Sequence, residues 1–483
     1  MGGEQCQGRR DCLDVERQIE RNSQVSRIIN EGARWLLLVN IAVACWLWGG
    51  TRPWTKEVIG WLLLADLVIF LSALIIRRKL PAVPAWAFWP GAVLLFVGWV
   101  LALNSYPGDA GVRILLDHFP GKIACLPSYG DASSSIREML FFTGLMGGFW
   151  ISCDMASNRQ WLLRLWNTIA LVGVSIVTLG LLQRLTKAPS IFWNFHEQAG
   201  GFFFAVFRYH GNAGAFINLV FPIIAALAVR SSMRRGERAP RVFWTISAVV
   251  TVAAAFVNVS RAAEILTVVL FLGWLIWLSL LLRGMGESYG NKLPISAVLS
   301  LVLLIPVMVA SLGFQKSLTR WKRSSSGMEI STFEGDRFLT YRSIVRHVMP
   351  RSGFFGSGPG SFEPVFAAVV AMDDIPARGR WDVAHNDHLQ SAVEWGWVGY
   401  ACWLMLFLGV FRAGVRLARK GDSLSLKLLG ASGVVSLGGI FVHAMVDFPL
   451  QIPSLVLLTA CIAGMLAGAP LQGWRQRRQE FAG

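Results

Sequence analysis

Residues 263–282 read AEILTVVLFLGWLIWLSLLL, an apolar run long enough to carry a helix through a bilayer. At the helical rise, about 20 such residues span the ~30 Å hydrocarbon layer. A strand there would leave backbone groups unpaired, so the run reads as a helix. Outward from it, comparable runs recur at 34–50, 57–76, 84–103, 138–154, 161–183, 213–229, 242–259, 293–313, 393–412, 428–447 and 453–470. Together they predict an all-α polytopic membrane protein with about twelve transmembrane helices.

Composition agrees. Charged residues make up 15% of the chain and hydrophobic ones 54%, with 21 Trp in 483 residues, which excludes a water-soluble globule. The formal net charge of +16 does not point to nucleic acid, because Lys and Arg gather in short links between the apolar runs. There they orient a membrane protein. With the N-terminus inside, the even-numbered links are cytoplasmic. They hold Arg77-Arg78-Lys79, Arg159, the Arg230 to Arg241 cluster, Arg283 with Lys292, and Arg412 to Lys420, and the tail adds Arg475, Arg477 and Arg478.

The expected organisation is a polar cytoplasmic N-terminus at 1–32, helices one to nine in 33–313, and a large outside loop at 314–392. Helices ten to twelve follow in 393–472, then a basic cytoplasmic tail at 473–483. Residues 1–32 lack a signal-peptide pattern. The seven Cys show no metal-ligand spacing, and the outside loops hold too few for a disulfide framework. Inside the large loop, Phe338, Tyr341, Ile344, Val345 and Val348 recur at helical spacing. That predicts an amphipathic helix lying across the membrane face, with Arg337, Arg342 and Arg346 on another side.

The candidate chemistry lies where this loop ends. Ala384-His385-Asn386-Asp387-His388-Leu389-Gln390 places two imidazoles at the water-facing end of a membrane helix. His385 and His388 share a face if the helix already begins there, and Asn386 or Asp387 can cap it. A neutral imidazole can take a proton from a sugar hydroxyl. Metal binding competes as a reading, but the spacing is not His-x-x-x-His and no third ligand presents itself. The plain alternative is a pair of interfacial polar residues closing the loop.

Arg261, in the tight Val259–Ala263 turn, and Arg208, where the 184–212 loop meets the membrane, are candidate anion ligands. A guanidinium grips pyrophosphate bidentately; snorkelling to lipid headgroups is the plain alternative. Arg337 and Arg342 form a third group. Gly356-Ser357-Gly358-Pro359-Gly360 lacks the ending and the strand–helix context of a phosphate loop, so it reads as a turn docking the loop on the helices. His443 and Asp447, one helical turn apart, read as structural support for the site.

These elements, in this order across roughly residues 190–455, resemble the O-antigen ligase and Wzy-type polymerase family of bacterial envelope glycan enzymes. The motifs carrying the resemblance are Arg208–Asn212, Ser260-Arg261, Arg337 through Arg342, Gly353–Phe362, His385–Gln390 with Glu394-Trp395-Gly396, and His443 through Pro453. The resemblance implies a GT-C-like helical fold in the bacterial inner membrane, with the large loop and the site facing the periplasm. It implies transfer of a glycan from an undecaprenyl-pyrophosphate-linked donor to a hydroxyl of a glycan, lipid or protein acceptor, with no metal, nucleotide or other cofactor. His385 would then be the general base. Arg208 and Arg261, with Arg337 or Arg342, would hold the pyrophosphate, and Asn386 and His388 would contact substrate. The rival is a twelve-helix secondary transporter or flippase for a lipid-linked glycan, for which Asp66, Asn40 and Asn167 lie in apolar stretches.

Overall fold

The computed structural model describes residues 2–78, 80–114, 121–194, 203–234, 238–284, 335–373 and 381–472, with only the backbone of 2–23. Long helices form where the apolar runs lie: α1 (Gly2–Trp46), α2 (Pro53–Arg77), α3 (Ala85–Asn104), then short α4 (Ala110–Ile114), α5 (Ala132–Ala156), α6 (Arg159–Leu185), α7 (His210–Ser232), α8 (Arg238–Val257) and α9 (Arg261–Gly284). Later in the chain come α10 (Gly335–Ser343), a π turn at Ile344–Val348, α11 (Met349–Ser352), α12 (Phe362–Met372), α13 (Asp387–Lys420), α14 (Leu424–His443) and α15 (Pro453–Gly468). Among the described residues eleven helices are long and apolar enough to cross a membrane, and no strand is present. The expected span 293–313 lies outside the described residues.

Two groups of helices make the bundle. In one, α5 packs on α2 and α15, and α1 on α2; in the other, α7 packs on α8, α9 and α14. The first group approaches closely because α15 presents glycine: a side chain at Gly464 or Gly468 would strike the α5 backbone at Phe149 or Cys153. Small residues do this job in lipid, where apolar burial between helices gains little. At one end, Arg34 on α1 pairs with Asp154 on α5 at 2.7 Å, both nearly buried. Removing one partner of such a pair costs about 3–5 kcal/mol, because the other charge is left stranded.

The opposite end carries a cap. Ile344, Val348, Phe362, Val365, Phe366 and Val369 form a second, small core with Ala110 and Ile114 of α4 and Val393 of α13. Asp373 closes it, receiving two hydrogen bonds from Arg351 (2.8 and 3.2 Å) and facing His347 at 2.7 Å. The glycine-rich turn 356–360 docks on α13: Ser357 and Gly358 donate to the Val393 and Glu394 carbonyls at 2.9 and 3.0 Å. There α13 kinks at Gly396, whose φ of 62° and ψ of −173° suit glycine alone. A side chain at Gly396 would strike the Phe354 carbonyl and the Gly356 amide.

Helix α10 differs from the expected amphipathic pattern. Its inward stripe is Arg337, Tyr341, Ile344 and Val348, while Phe338 is 70% exposed. The stripe starts at Arg337 because that guanidinium finds buried acceptors, a stronger demand than Phe338's apolar ring.

Candidate active site

Four parts of the chain converge at the capped end: residues 208–211, α10, the 381–388 stretch and the 443–451 turn. The His385–His388 motif is a clip onto that last turn. Asn386 caps α13, accepting from the Leu389 amide at 3.0 Å, and its Nδ2 donates to the Met445 carbonyl at 2.8 Å. The buried Asp387 carboxyl accepts from the Leu450 amide (2.7 Å) and Gln451 Nε2 (3.1 Å), and the Asp387 amide donates to Ala444. His388 faces the Phe441 carbonyl at 3.1 Å and the Tyr400 hydroxyl at 3.2 Å.

His385 precedes the helix and has a φ of 50°, which turns its ring away from His388. The two imidazoles therefore do not share a helical face. His385 Nδ1 lies 3.3 Å from Asp447 Oδ1 and 3.3 Å from Arg337 Nη2. Arg337 also donates through Nη1 to the Val446 carbonyl (3.1 Å) and through Nη2 to the Tyr209 hydroxyl (3.3 Å). The Tyr341 hydroxyl donates to the His385 carbonyl at 2.5 Å. Trp381, Phe448 and Tyr209 stand edge-on around the His385 ring, at centroid distances of 5.7, 4.8 and 6.3 Å.

Electrostatics fix the protonation pattern. Burial alone would lift the Asp447 carboxyl, but the hydrogen bond from His385 and the pull of His443, Arg337 and His385 bring it below the usual carboxylate range. Burial, aided by Asp447, pushes the Tyr209 hydroxyl up to about 12, and burial does the same for Tyr341, so both phenols stay protonated at neutral pH. An ionised Asp447 can accept the Nδ1–H of His385, and in that tautomer Nε2 carries the lone pair. Among the described residues Nε2 has no hydrogen-bond partner. His385 keeps 19% of its side-chain surface open and Asp447 only 5%, so a substrate reaches the imidazole and not the carboxylate.

The other expected residues spread out from this centre. Arg261 opens α9 and is half-exposed; the turn before it is tied to α7 by Asn258 Nδ2 donating to the His210 carbonyl at 2.8 Å. Arg208 is exposed beside Tyr209. Arg342 is exposed on the outer side of α10, turned from the cluster by the helical phase that brings Arg337 in. Asn386 is occupied in capping, and His388 belongs to a different cavity wall. The structure thus joins His385 with Arg337, puts Arg208 and Arg261 at the same end, and sets Arg342 aside.

Tyr209 and Tyr341 are the participants that sequence reasoning did not place in the site, whereas Asp447, expected to support it together with His443, does so through His385. A usable signal existed: the chain has six Tyr, and three of them contact the 385–388 motif or its partners. Asp447 is 3.9 Å from His443 Nε2, beyond hydrogen-bond reach, and closer to His385. Helices α7 and α9 begin here, and helix N-termini carry partial positive charge suited to anions. The arrangement can accept a proton at Nε2 while guanidinium and helix ends hold an anion. No protein-family model matches the chain, and no curated protein matches its sequence.

Proposed function

We propose that the chain is a membrane glycosyltransferase of the O-antigen ligase and Wzy-type polymerase kind. It moves a glycan from undecaprenyl pyrophosphate to an acceptor hydroxyl on the periplasmic face of the inner membrane, within a GT-C-like bundle. One observation carries this reading: an imidazole whose Nε2 has no partner among the described residues, with a buried carboxylate beside its Nδ1, stands 3.3 Å from a guanidinium where helices begin.

In the proposed step the acceptor oxygen bonds to the anomeric carbon, and the bond from that carbon to the pyrophosphate oxygen breaks. His385 Nε2 takes the hydroxyl proton, and the leaving diphosphate keeps the bonding electron pair. Arg337, with Arg208 and Arg261 at the rim, offsets that charge; preorganised cations in a partly dry cleft do so without reorganising. Asp447 holds the imidazole tautomer and stabilises the imidazolium that forms. Attack from the face opposite the diphosphate inverts the anomeric centre.

The test is incubation of purified protein with a carrier-linked glycan and separate candidate acceptors. His385→Ala is expected to abolish transfer at unchanged protein level and thermal midpoint, and product chain length separates polymerase from ligase. Normal product from that variant would sink the base role. A twelve-helix transporter or flippase is favoured by one feature, Asp66 on α2, buried with no hydrogen bond to either carboxylate oxygen among the described residues. In that case Asp66→Asn, and not His385→Ala, would remove activity.

A further inference from the structure

On the far side of the 385–388 clip lies a cavity of about 240 Å³ between α5, α13, α14 and α15. It descends from the capped end along one face of α5 (Phe142, Leu145, Met146 and Phe149) and one face of α15 (Val456, Thr459, Ala460 and Ala463). These positions repeat at three- and four-residue spacing, so each helix offers a continuous stripe. The walls are overwhelmingly apolar. An apolar cavity of about 150 Å³ already stays dry and takes up benzene, so this larger one favours an aliphatic occupant over water.

The mouth sets the occupant's chemistry. It is lined by Glu138, Asp387, His388, Ser391, Glu394 and Gln451, and no Lys or Arg is among the described lining residues. Lys56, outside the lining, is paired with Glu138 at 2.5 Å. Both ring nitrogens of His388 are engaged, Nε2 facing the Phe441 carbonyl at 3.1 Å and Nδ1 the Tyr400 hydroxyl at 3.2 Å. A phosphate or pyrophosphate brought here would lose its hydration beside Glu138, Asp387 and Glu394, with no guanidinium or ammonium among the described lining residues to offset its charge. Hydroxyl groups meet the opposite situation. The carboxyl oxygens and the Ser391 hydroxyl present lone pairs, which accept from sugar O–H groups.

We propose that this cavity binds the aliphatic chain of an uncharged glycolipid, with its sugar head among Asp387, Ser391 and Gln451. The anion-holding cluster of Arg337 and the lipid cavity then lie on opposite sides of one short clip. That such a lipid serves as acceptor rests on the transfer reaction proposed above, whereas its binding does not.

The probe is an alkyl glucoside with a diazirine near the end of its chain, photolysed with the purified protein in phosphatidylcholine nanodiscs. Label is expected in the α5 and α15 peptides that line the cavity. Excess dodecyl glucoside should reduce it roughly tenfold, about 1.4 kcal/mol of competition, while undecaprenyl pyrophosphate at equal concentration leaves it unchanged. Ala460→Trp, which fills the cavity, should remove the label; Ala463→Phe serves if that variant fails to fold. Equal displacement by undecaprenyl pyrophosphate, or full labelling of a folded cavity-filled variant, overturns the proposal. His385→Ala should keep the label, so loss of transfer and loss of binding are read separately.

Discussion

Arg337 donates to a carbonyl and a phenol while lying against His385, and the planar fork makes this possible. A lysine keeps the charge but presents a point donor on a flexible stem. Each charged hydrogen bond lost is worth about 1.5–3 kcal/mol, so Arg337→Lys is expected to lower kcat/KM by roughly 10–100-fold. An unchanged value in the glycan-transfer assay would show that charge alone suffices. Asp447 makes a pH prediction. Its carboxyl titrates lower in the folded protein than in an unfolded chain, so its ionised form contributes stability above the ordinary carboxylate pKa of about 3.9. That contribution disappears as pH falls through the depressed folded value. The thermal midpoint of the wild type should therefore drop more steeply below about pH 4 than that of Asp447→Asn. Of this cluster, His385 and Arg337 were legible in the sequence because an imidazole and a guanidinium at loop ends are costly without a purpose. Arg342 looked equivalent to Arg337, since sequence spacing does not reveal which side of α10 meets buried acceptors. Tyr209 was hidden because its role depends on distant segments touching, and Asp447 was legible as support but with the wrong partner, lying closer to His385 than to His443.

Helix α13 shows how an interruption can be built in by backbone packing. Gly396 leaves helical geometry where Gly356 of the cap presses on it, and the Val398 amide donates to the Phe354 carbonyl at 3.2 Å. Gly396→Ala forces a side chain into a region reserved for glycine, at a cost of about 1–3 kcal/mol before the clash with the cap is counted. Differential scanning of the detergent-solubilised variant should show a lowered midpoint. Gly438→Ala on α14, which meets only Phe411 at 3.7 Å, should leave it unchanged or slightly raised. The existence of most helices was plain from apolar runs, but their ends were not. The run at 428–447 counts Met445 and Val446 as helix, whereas α14 stops at His443 because the Asp387 amide captures the Ala444 carbonyl. Likewise α13 starts at Asp387, earlier than the apolar run at 393, because Asn386 supplies a cap.

Orientation in the bilayer follows from charge distribution and can be read with native thiols. Among the described cysteines Cys125 is exposed, while Cys45, Cys153, Cys402 and Cys461 are buried. If the capped end faces outward, a membrane-impermeant maleimide applied to intact cells will modify Cys125, and Cys125→Ser will abolish the signal. Labelling of intact cells that survives Cys125→Ser, or modification of Cys125 only after permeabilisation, would invert the assignment. One further consequence comes from α7, buried along the whole of its apolar window. It carries Asn212, Asn218 and Pro222, and Asn218 depends on α9, accepting from Thr267 at 2.6 Å and donating to Ala263 at 3.1 Å. Its large neighbour α14 comes later in the chain, after α8 to α13. During synthesis this post must therefore wait, one flank still bathed in lipid, until α14 has been made. Chains stopped short of α14 would offer quality-control proteases a half-sheathed polar helix.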